Sequence, residues 1–127
     1  MKNGYVEKGI PFIQKRKEKI KLKGSRIYYG GTSFERKELA DTEINHRIEL
    51  EYYKVKNEYN KQAVYGIEVV KREYKIEGVN MEVNNVIGVS DSINRVEEII
   101  DKLKKHKVTP VCLNDVVEDI LYEQITE

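Results

Sequence analysis

The sequence predicts an α+β fold: an antiparallel sheet of about four strands, followed by two C-terminal amphipathic helices packed on one sheet face, with a basic N-terminal arm or hairpin. Two observations carry the fold class. Polar and apolar residues alternate in several stretches between residues 34 and 89, which is the period of strands. Apolar residues recur at helical spacing between residues 93 and 122, and short turn-forming segments separate the stretches.

Residues 1–31 are interpreted as a basic arm, and residues 32–127 as a single α+β domain. In the arm, lysines alternate with apolar residues over 19–23, which predicts a short strand, and residues 26–29 are its expected hairpin partner. The Gly-Gly pair at residues 30–31 is interpreted as a flexible connection, because it lacks the Gly-Lys-Ser/Thr ending of a phosphate-binding loop. A hairpin alone is marginally stable in water, so the arm should be docked on the domain or mobile.

The first two strands of the domain are predicted over residues 34–39 and 44–56. In the second strand the alternation changes phase at Tyr53, which indicates a bulge or a strand covered on both faces. Residues 62–76 form the longest predicted strand. Gly66 lies inside it and marks a close approach of another backbone.

The fourth strand is predicted over residues 81–89, and the first helix over residues 93–106. The Ser-Asp-Ser run at 90–92 offers a capping oxygen at the start of that helix, and Thr-Pro at 109–110 stops it. The second helix should run from residue 113 or 114 to about residue 122. The apolar stripes of the two helices are Ile93, Val96, Ile99, Ile100 and Leu103 in the first, and Val116, Val117, Ile120 and Leu121 in the second.

The composition favours a cytoplasmic protein. The 127 residues are enough for one domain with its own core. The single cysteine excludes an internal disulfide framework and favours a reducing compartment. No apolar run approaches the roughly 20 residues that span a bilayer, and no apolar signal core follows the N-terminus. We therefore expect no membrane partner.

Charge is spread unevenly, although the formal net charge is only +1. Residues 1–43 carry a net charge of +5, and residues 91–127 carry −4. The basic cluster of the arm can hold phosphates and stack on bases, contact a protein, or protect a solvated sheet edge from aggregation. Its candidate binding residues are Lys15, Arg16, Lys17, Lys19, Lys21, Lys23, Arg26, Tyr28 and Tyr29.

A second candidate surface is the acidic face of the last helix, formed by Asp115, Glu118 and Asp119. Carboxylates at this spacing can bind a metal ion or a basic protein, or lie in solvent beside a helix N-terminus. A divalent cation usually needs more oxygen ligands or a nearby histidine. We expect a solvated face or a protein contact, with no metal site and no cofactor.

The residues with nucleophilic or acid–base chemistry do not form a recognisable catalytic set. Cys112 lies between two apolar residues and is interpreted as a small core residue. His106 fits the C-terminal end of the first helix, where the helix dipole favours a cation. His46 lies beside a turn among charged residues and is interpreted as a surface residue. No motif combines a nucleophile, a base and an oxyanion site, so we expect no catalytic residues and no enzyme activity.

Three segments together carry a family resemblance: VYGIEVVK at 64–71, IGVS at 87–90 and VTPVCLNDVVED at 108–119. They resemble a family of short bacterial proteins of unknown function, DUF6514, known from Clostridium-like Firmicutes, and the resemblance extends over roughly residues 35–121. Cys112 stands where the family's Pro-x-His-Leu run has a histidine. The resemblance implies a bacterial cytoplasmic protein with strands before a helix pair, and it implies no activity.

These observations favour a small non-enzymatic interaction module that regulates or inhibits a larger protein partner. The alternative is a nucleic-acid-binding accessory protein that acts through the arm at residues 15–29, with binding that weakens steeply as salt rises. Self-association through the opposite charges of the two chain ends is a third hypothesis.

Overall fold

The computed structural model describes residues 24–37 and 45–126. These residues form an antiparallel sheet in the order β1-β2-β3-β4, followed by two helices, which confirms the α+β class. The strands are β1 (Ser25–Lys37), β2 (Asn45–Tyr59), β3 (Gln62–Lys75) and β4 (Gly78–Ser90). Two helices follow, α1 (Ile93–Lys105) and α2 (Leu113–Thr126), and a 3-10 turn (Pro110–Cys112) lies between them.

The hairpin between β2 and β3 fixes the register at the centre of the sheet. Its two turn residues, Asn60 and Lys61, have φ values of 51° and 65°, as a type I′ turn requires. Pairing then continues without a register shift from Tyr59–Gln62 to Arg47–Tyr74. The phase change predicted at Tyr53 is therefore not a bulge in β2. Val55 is instead buried on the face opposite Tyr52, so β2 has buried residues on both faces.

The first strand, β1, begins within the predicted arm, at Ser25. β1 is one strand that pairs with β2 along its whole length and has a register shift between Tyr28 and Gly30. Gly30 and Gly31 lie inside this strand, so their interpretation as a flexible connection is wrong. A Cβ on Gly31 would lie 2.8 Å from the carbonyl oxygen of Leu50, so glycine permits a close approach of the two backbones here. The predicted strand at 19–23 lies outside the described residues.

Close packing at Gly66 confirms its predicted role. A Cβ at this position would lie 2.2 Å from the carbonyl oxygen of Val86 and 2.8 Å from Cα of Ile87. The register of β3 and β4 shifts at this point, between Tyr65 and Ile67. The bulged segment of β4 that follows, residues 86–89, is buried.

Both helices contribute to one core with the same sheet face. The Oγ of Ser92 caps α1 by accepting a hydrogen bond from the amide of Arg95, and His106 ends the helix as predicted. No helix in the described part of the chain is long and apolar enough to cross a membrane. The buried core comprises Leu50 and Tyr52 of β2, Ile67 and Val69 of β3, Val86 and Val89 of β4, Val96, Ile99, Ile100 and Leu103 of α1, Val108, and Leu113, Val117 and Ile120 of α2.

Tyr52 ties the sheet to the connection between the helices. Its side chain is fully buried, and its hydroxyl donates a hydrogen bond of 2.8 Å to the carbonyl oxygen of Val108. A second carbonyl, that of Leu103 at the end of α1, lies 3.4 Å from the same hydroxyl. Because buried polar groups need partners, this tyrosine satisfies backbone at the point where α1 ends.

Two polar residues lie in environments opposite to those predicted. Cys112 is exposed, because the 3-10 turn directs Pro110 and Leu113 into the core and leaves the cysteine in solvent. His46 is buried, because it lies on the same face of β2 as the core residues. Its Nδ1 is 2.8 Å from the Oε2 of Glu73 on β3, and Arg36 of β1 donates to the same oxygen.

Candidate functional site

The sheet face opposite the helices carries a row of aromatic and charged side chains, which we call the open face. Side chains of a strand alternate between the two faces, so the residues beside the core positions point to this side. Neighbouring strands then bring these alternate positions together across the sheet. The row comprises Arg26 and Tyr28 of β1, Arg47, Glu49, Glu51 and Tyr53 of β2, and Glu68, Arg72 and Tyr74 of β3.

One end of the row is organised around Tyr53. Tyr28 is its direct cross-strand partner, and the two rings meet edge to face with centroids 5.7 Å apart. The guanidinium carbon of Arg26 lies 3.9 Å from the centroid of the Tyr53 ring. Arg26 also pairs with Glu68, at 2.9 Å between Nη1 and Oε2. A stacked and paired arginine loses little further freedom when a partner binds.

The middle of the row is joined by Glu51. The Tyr53 hydroxyl donates to its Oε1 at 2.8 Å, and Arg72 lies 2.8 Å from the same oxygen. The hydrogen bond from Arg72 is the main reason that the pKa of the Glu51 carboxyl is lowered. The hydrogen bond to Glu51 raises the pKa of Tyr53 in turn. At neutral pH the site therefore presents an ionised carboxylate and a neutral phenol.

The far end repeats the same combination of residues. The Tyr74 hydroxyl donates to Oε1 of Glu49 at 2.8 Å, and Arg47 lies 3.0 Å from the other carboxylate oxygen. The pKa of the Glu49 carboxyl is lowered, mainly by the hydrogen bond that it accepts from Tyr74 and next by the hydrogen bond from Arg47. The bond to Glu49 raises the pKa of Tyr74. Each of the three arginines of the open face is thus matched by a glutamate.

An apolar strip continues the open face along β4. Val79, Met81 and Val83 alternate with polar residues and are 54%, 61% and 49% exposed. They lie directly across from Tyr74, Arg72 and Val70 of β3. Exposed apolar side chains rimmed by polar ones are typical of surfaces that contact other proteins.

The structure divides the predicted basic cluster. Arg26 and Tyr28 lie on the open face, while the adjacent Tyr29, at the register shift of β1, packs against the helix-side core. Burial, and then a hydrogen bond with Asp101 of α1, raises the pKa of Tyr29. The remaining predicted residues of this cluster lie outside the described residues: Lys15, Arg16, Lys17, Lys19, Lys21 and Lys23.

The predicted acidic surface lies on α2, on the other side of the sheet. Asp115 and Asp119 are exposed, and Glu118 is half-buried. Within residues 24–37 and 45–126, no group of three or more His, Cys, Asp or Glu side chains is placed to hold a metal ion. This surface therefore offers carboxylates to solvent, and it is separate from the open face.

Sequence reasoning missed most of the open face. The missed residues are Arg47, Glu49, Glu51, Tyr53, Glu68, Arg72 and Tyr74. The available signal was the alternation itself, since polar residues lie opposite the apolar face of β2. A register counted outward from the turn at Asn60 and Lys61 would have placed Tyr53 beside Glu68 and Glu49 beside Arg72.

Comparison with known proteins gives a family without an activity. No match is found among curated proteins or among solved structures. A family model described as "family of unknown function (DUF6514)" matches residues 32–123, which is more than half of the chain. The match covers the sheet from the middle of β1 onward, all of α1, and α2 as far as residue 123. The chain therefore belongs to the DUF6514 family of unknown function.

Proposed function

We propose that the chain is a small, non-enzymatic, cytoplasmic interaction module that regulates or inhibits a larger protein partner through its open face. A domain of this kind acts by occupying a surface of its partner. The observation that supports this proposal is the row of preordered tyrosine, arginine and glutamate side chains on the face opposite the helices.

The composition of the open face is that of a protein-binding surface. Tyrosine and arginine are the residue types enriched at the centres of protein–protein interfaces and among the side chains that dominate binding energy. Their geometry here is held by contacts within the sheet, such as the 2.8 Å bond from Tyr53 to Glu51. Side chains that are already ordered lose less conformational entropy on binding.

Its charge balance favours a protein over a polyanion. Arg26, Arg47 and Arg72 each pair with a glutamate, so the open face carries little net positive charge. Binding to nucleic acid depends on cations that neutralise phosphates. A phosphate backbone would have to displace these glutamates, whereas a protein surface with its own charged groups can pair with both signs.

The alternative proposal keeps nucleic-acid binding in the basic arm. It is tested with a chain that lacks residues 1–23, in which β1 is retained because it begins at Ser25. Under this alternative, the full chain binds a single-stranded oligonucleotide at low salt, affinity falls steeply as salt rises, and the shortened chain does not bind. Unchanged binding by the shortened chain would contradict it.

A substitution on the open face is expected to abolish partner capture. Tyr28 is 58% exposed, and its ring contacts the ring of Tyr53. Tyr28→Asp removes this exposed ring and places a carboxylate beside Tyr53. We expect at least a tenfold loss of the protein retained from native lysate, because an aromatic side chain that anchors an interface is typically worth about 2 kcal/mol or more. Quantitative affinity capture with the full chain measures it.

The matched control is Tyr122→Asp. Tyr122 is 53% exposed, close to the value for Tyr28, but it lies on α2 on the other side of the sheet. A partner retained by the control and lost by Tyr28→Asp supports the open face as the site. Equal retention by both variants, or loss with the control alone, would assign binding elsewhere. Thermal unfolding of both variants shows that the fold is retained.

A further inference from the structure

The two edges of the sheet differ in how they are protected. At the β1 edge, a register shift between Tyr28 and Gly30 and the charged residues at 35–37 oppose the addition of a further strand. On β4, the segment from Gly78 to Asn85 precedes the bulge and carries a single charged residue, Glu82. Among the described residues no strand pairs with its outer side. Long, regular edges without lysine or proline are templates for strand pairing.

The backbone groups that face outward on β4 follow from the hairpins. The type I′ turn makes Tyr59 and Gln62 a hydrogen-bonded pair, and such pairs then recur at every second position along β2 and β3. The β3 residues between these positions, such as Lys71 and Glu73, therefore direct their amide and carbonyl groups toward β4. Glu82 lies opposite Lys71 and Asn80 lies opposite Glu73, so the backbone groups of Asn80 and Glu82 bond to β3.

It follows that the amide and carbonyl groups of alternate β4 residues point away from the sheet. These residues are Val79, Met81 and Val83, whose side chains are also the exposed apolar strip of the open face. Backbone groups that need partners and apolar side chains thus occur at the same three positions. This combination fits an added strand.

We propose that the strand added to this edge is β4 of a second copy of the chain, paired antiparallel about a twofold axis at Met81. In this register the two Met81 residues exchange their backbone hydrogen bonds, and each Val79 lies opposite Val83 of the second copy. On the other sheet face, Asn80 lies opposite Glu82 of the second copy. Every apolar residue of the strip then meets an apolar residue.

The other twofold registers are poorer matches. An axis at Glu82 places the two carboxylates directly opposite each other, which is destabilising. An axis at Asn80 places the apolar side chain of Val83 opposite the charged side chain of Glu77 of the second copy. An axis at Val83 places Val79 opposite Ile87, which is buried within its own chain. Residues that lie directly opposite in an antiparallel pair point to the same face of the sheet. A twofold axis midway between two residues would place side chains of opposite faces together, so such registers are excluded.

Electrostatics permits the Met81-centred register. Glu82 already lies 3.8 Å from Lys71 of the neighbouring strand, so its charge is balanced within its own chain. In the dimer, the amide of Asn80 from the second copy would lie beside the same carboxylate and can donate to it. No like charges are brought together along the paired segment.

Pairing would join two four-stranded sheets into one continuous sheet. The open faces of the two copies would then lie side by side, with their apolar strips in the centre. A contact of about seven residues per strand is smaller than the roughly 1,600 Å² of a standard interface, so we expect a dimer with a micromolar dissociation constant.

Disulfide trapping tests the register directly. Met81→Cys is placed in a chain that also carries Cys112→Ser, because the native cysteine is exposed and would cross-link on its own. Hydrogen-bonded antiparallel partners have Cα atoms about 5.5 Å apart, which suits a disulfide. The matched control is Val83→Cys in the same background, since the two copies of residue 83 would lie about 14 Å apart.

Under the proposal, the Met81→Cys chain forms a cross-linked dimer under mild oxidation at least ten times faster than the Val83→Cys chain. Equal rates for the two variants, or faster cross-linking by the control, would overturn the register and with it the proposal. No cross-linking by either variant at several hundred micromolar protein would do the same.

A charge exchange provides the second test, measured by sedimentation of chains without added cysteines. V79K with V83K places lysines opposite lysines and is expected to leave only monomer. V79K with V83E places opposite charges together at the same two sites and is expected to retain a dimer that weakens with salt. A wild-type chain that stays monomeric throughout the micromolar range overturns the second copy as the occupant. An edge filled instead by the strand of another protein would give this monomeric result.

Discussion

Replacement of Gly66 by alanine is expected to destabilise the fold by about 3 kcal/mol or more. The new Cβ would lie 2.2 Å from the carbonyl oxygen of Val86 and 2.8 Å from Cα of Ile87. Both contacts are with backbone atoms, so no side-chain rotation can relieve them. β4 would have to move away from β3 at the register shift beside Gly66, next to the β4 residues Val86 and Val89 that pack in the core. Urea denaturation, read as a change in midpoint at constant slope, measures the loss.

Gly30→Ala is the matched control for this substitution. Gly30 is also a buried strand glycine, but the nearest atom to its new Cβ is Nζ of Lys104, 3.1 Å away at the flexible end of a side chain. We expect a change within about 1 kcal/mol, since the lysine can move and the loss of glycine restricts the unfolded chain. Similar losses in both variants would show that Gly66 has no special role in the approach of β3 and β4.

Removal of the Tyr52 hydroxyl is expected to cost about 1–3 kcal/mol, because Tyr52→Phe leaves the buried carbonyl of Val108 without its 2.8 Å donor. The aromatic ring is kept, so the substitution leaves the packing of the core in place. The loss should appear as faster opening of the connection between α1 and α2, measured by amide hydrogen exchange, as well as in the denaturation midpoint.

The same substitution should change how stability depends on pH. Burial raises the pKa of Tyr52 well above its usual value near 10. The unfolded chain therefore releases a proton above pH 10 that the folded chain retains, and high pH favours unfolding. This contribution is complete below pH 10 and is lost as the pH rises, by up to about 1.4 kcal/mol per pH unit. The stability difference between wild type and Tyr52→Phe should stay constant up to about pH 10 and shrink between about pH 10 and about pH 11. A constant difference would contradict the buried phenol.

Most of the fold could be predicted from the sequence, because the apolar spacing and the helix-end residues in the second half of the chain indicate the same structure. Helical spacing predicted a stripe of five apolar residues on α1, of which four are buried and Ile93, at the start of the helix, is half-buried. Ser92 caps α1 and His106 ends it, as the residue types at these positions indicated. Local propensity and tertiary packing point to the same structure in this region, which is why single-sequence reasoning was sufficient.

Two of the three wrong predictions, those for Gly31 and His46, failed because of contacts between distant segments. Gly31 reads locally as loose chain, yet the backbone of β2 holds it in a strand. His46 reads as a surface residue, but Glu73, 27 positions away in the chain, pairs with it inside the structure. Cys112 reads as apolar because its neighbours are apolar, and the tight 3-10 turn alone places it in solvent.

The β1 part of the open face was not predictable, because its contacts also join distant segments. Arg26 and Glu68 are far apart in sequence, and only the combined register of three strands places them 2.9 Å from each other. Composition drew attention to the basic arm because charge is visible without a structure. The paired charges of the sheet have almost no net signature in the sequence, although ion pairs and hydrogen bonds connect them on the open face.

The most direct test of the open face as the binding surface is hydroxyl-radical footprinting of the tyrosines, with and without the captured partner. Tyr28 and Tyr74 lie on that face, and Tyr122 lies on α2, and all three are exposed enough to react in the free chain. We expect the partner to protect Tyr28 and Tyr74 while Tyr122 reacts at its original rate. Protection of Tyr122 with no change at Tyr28 and Tyr74 would contradict the open face as the site of binding.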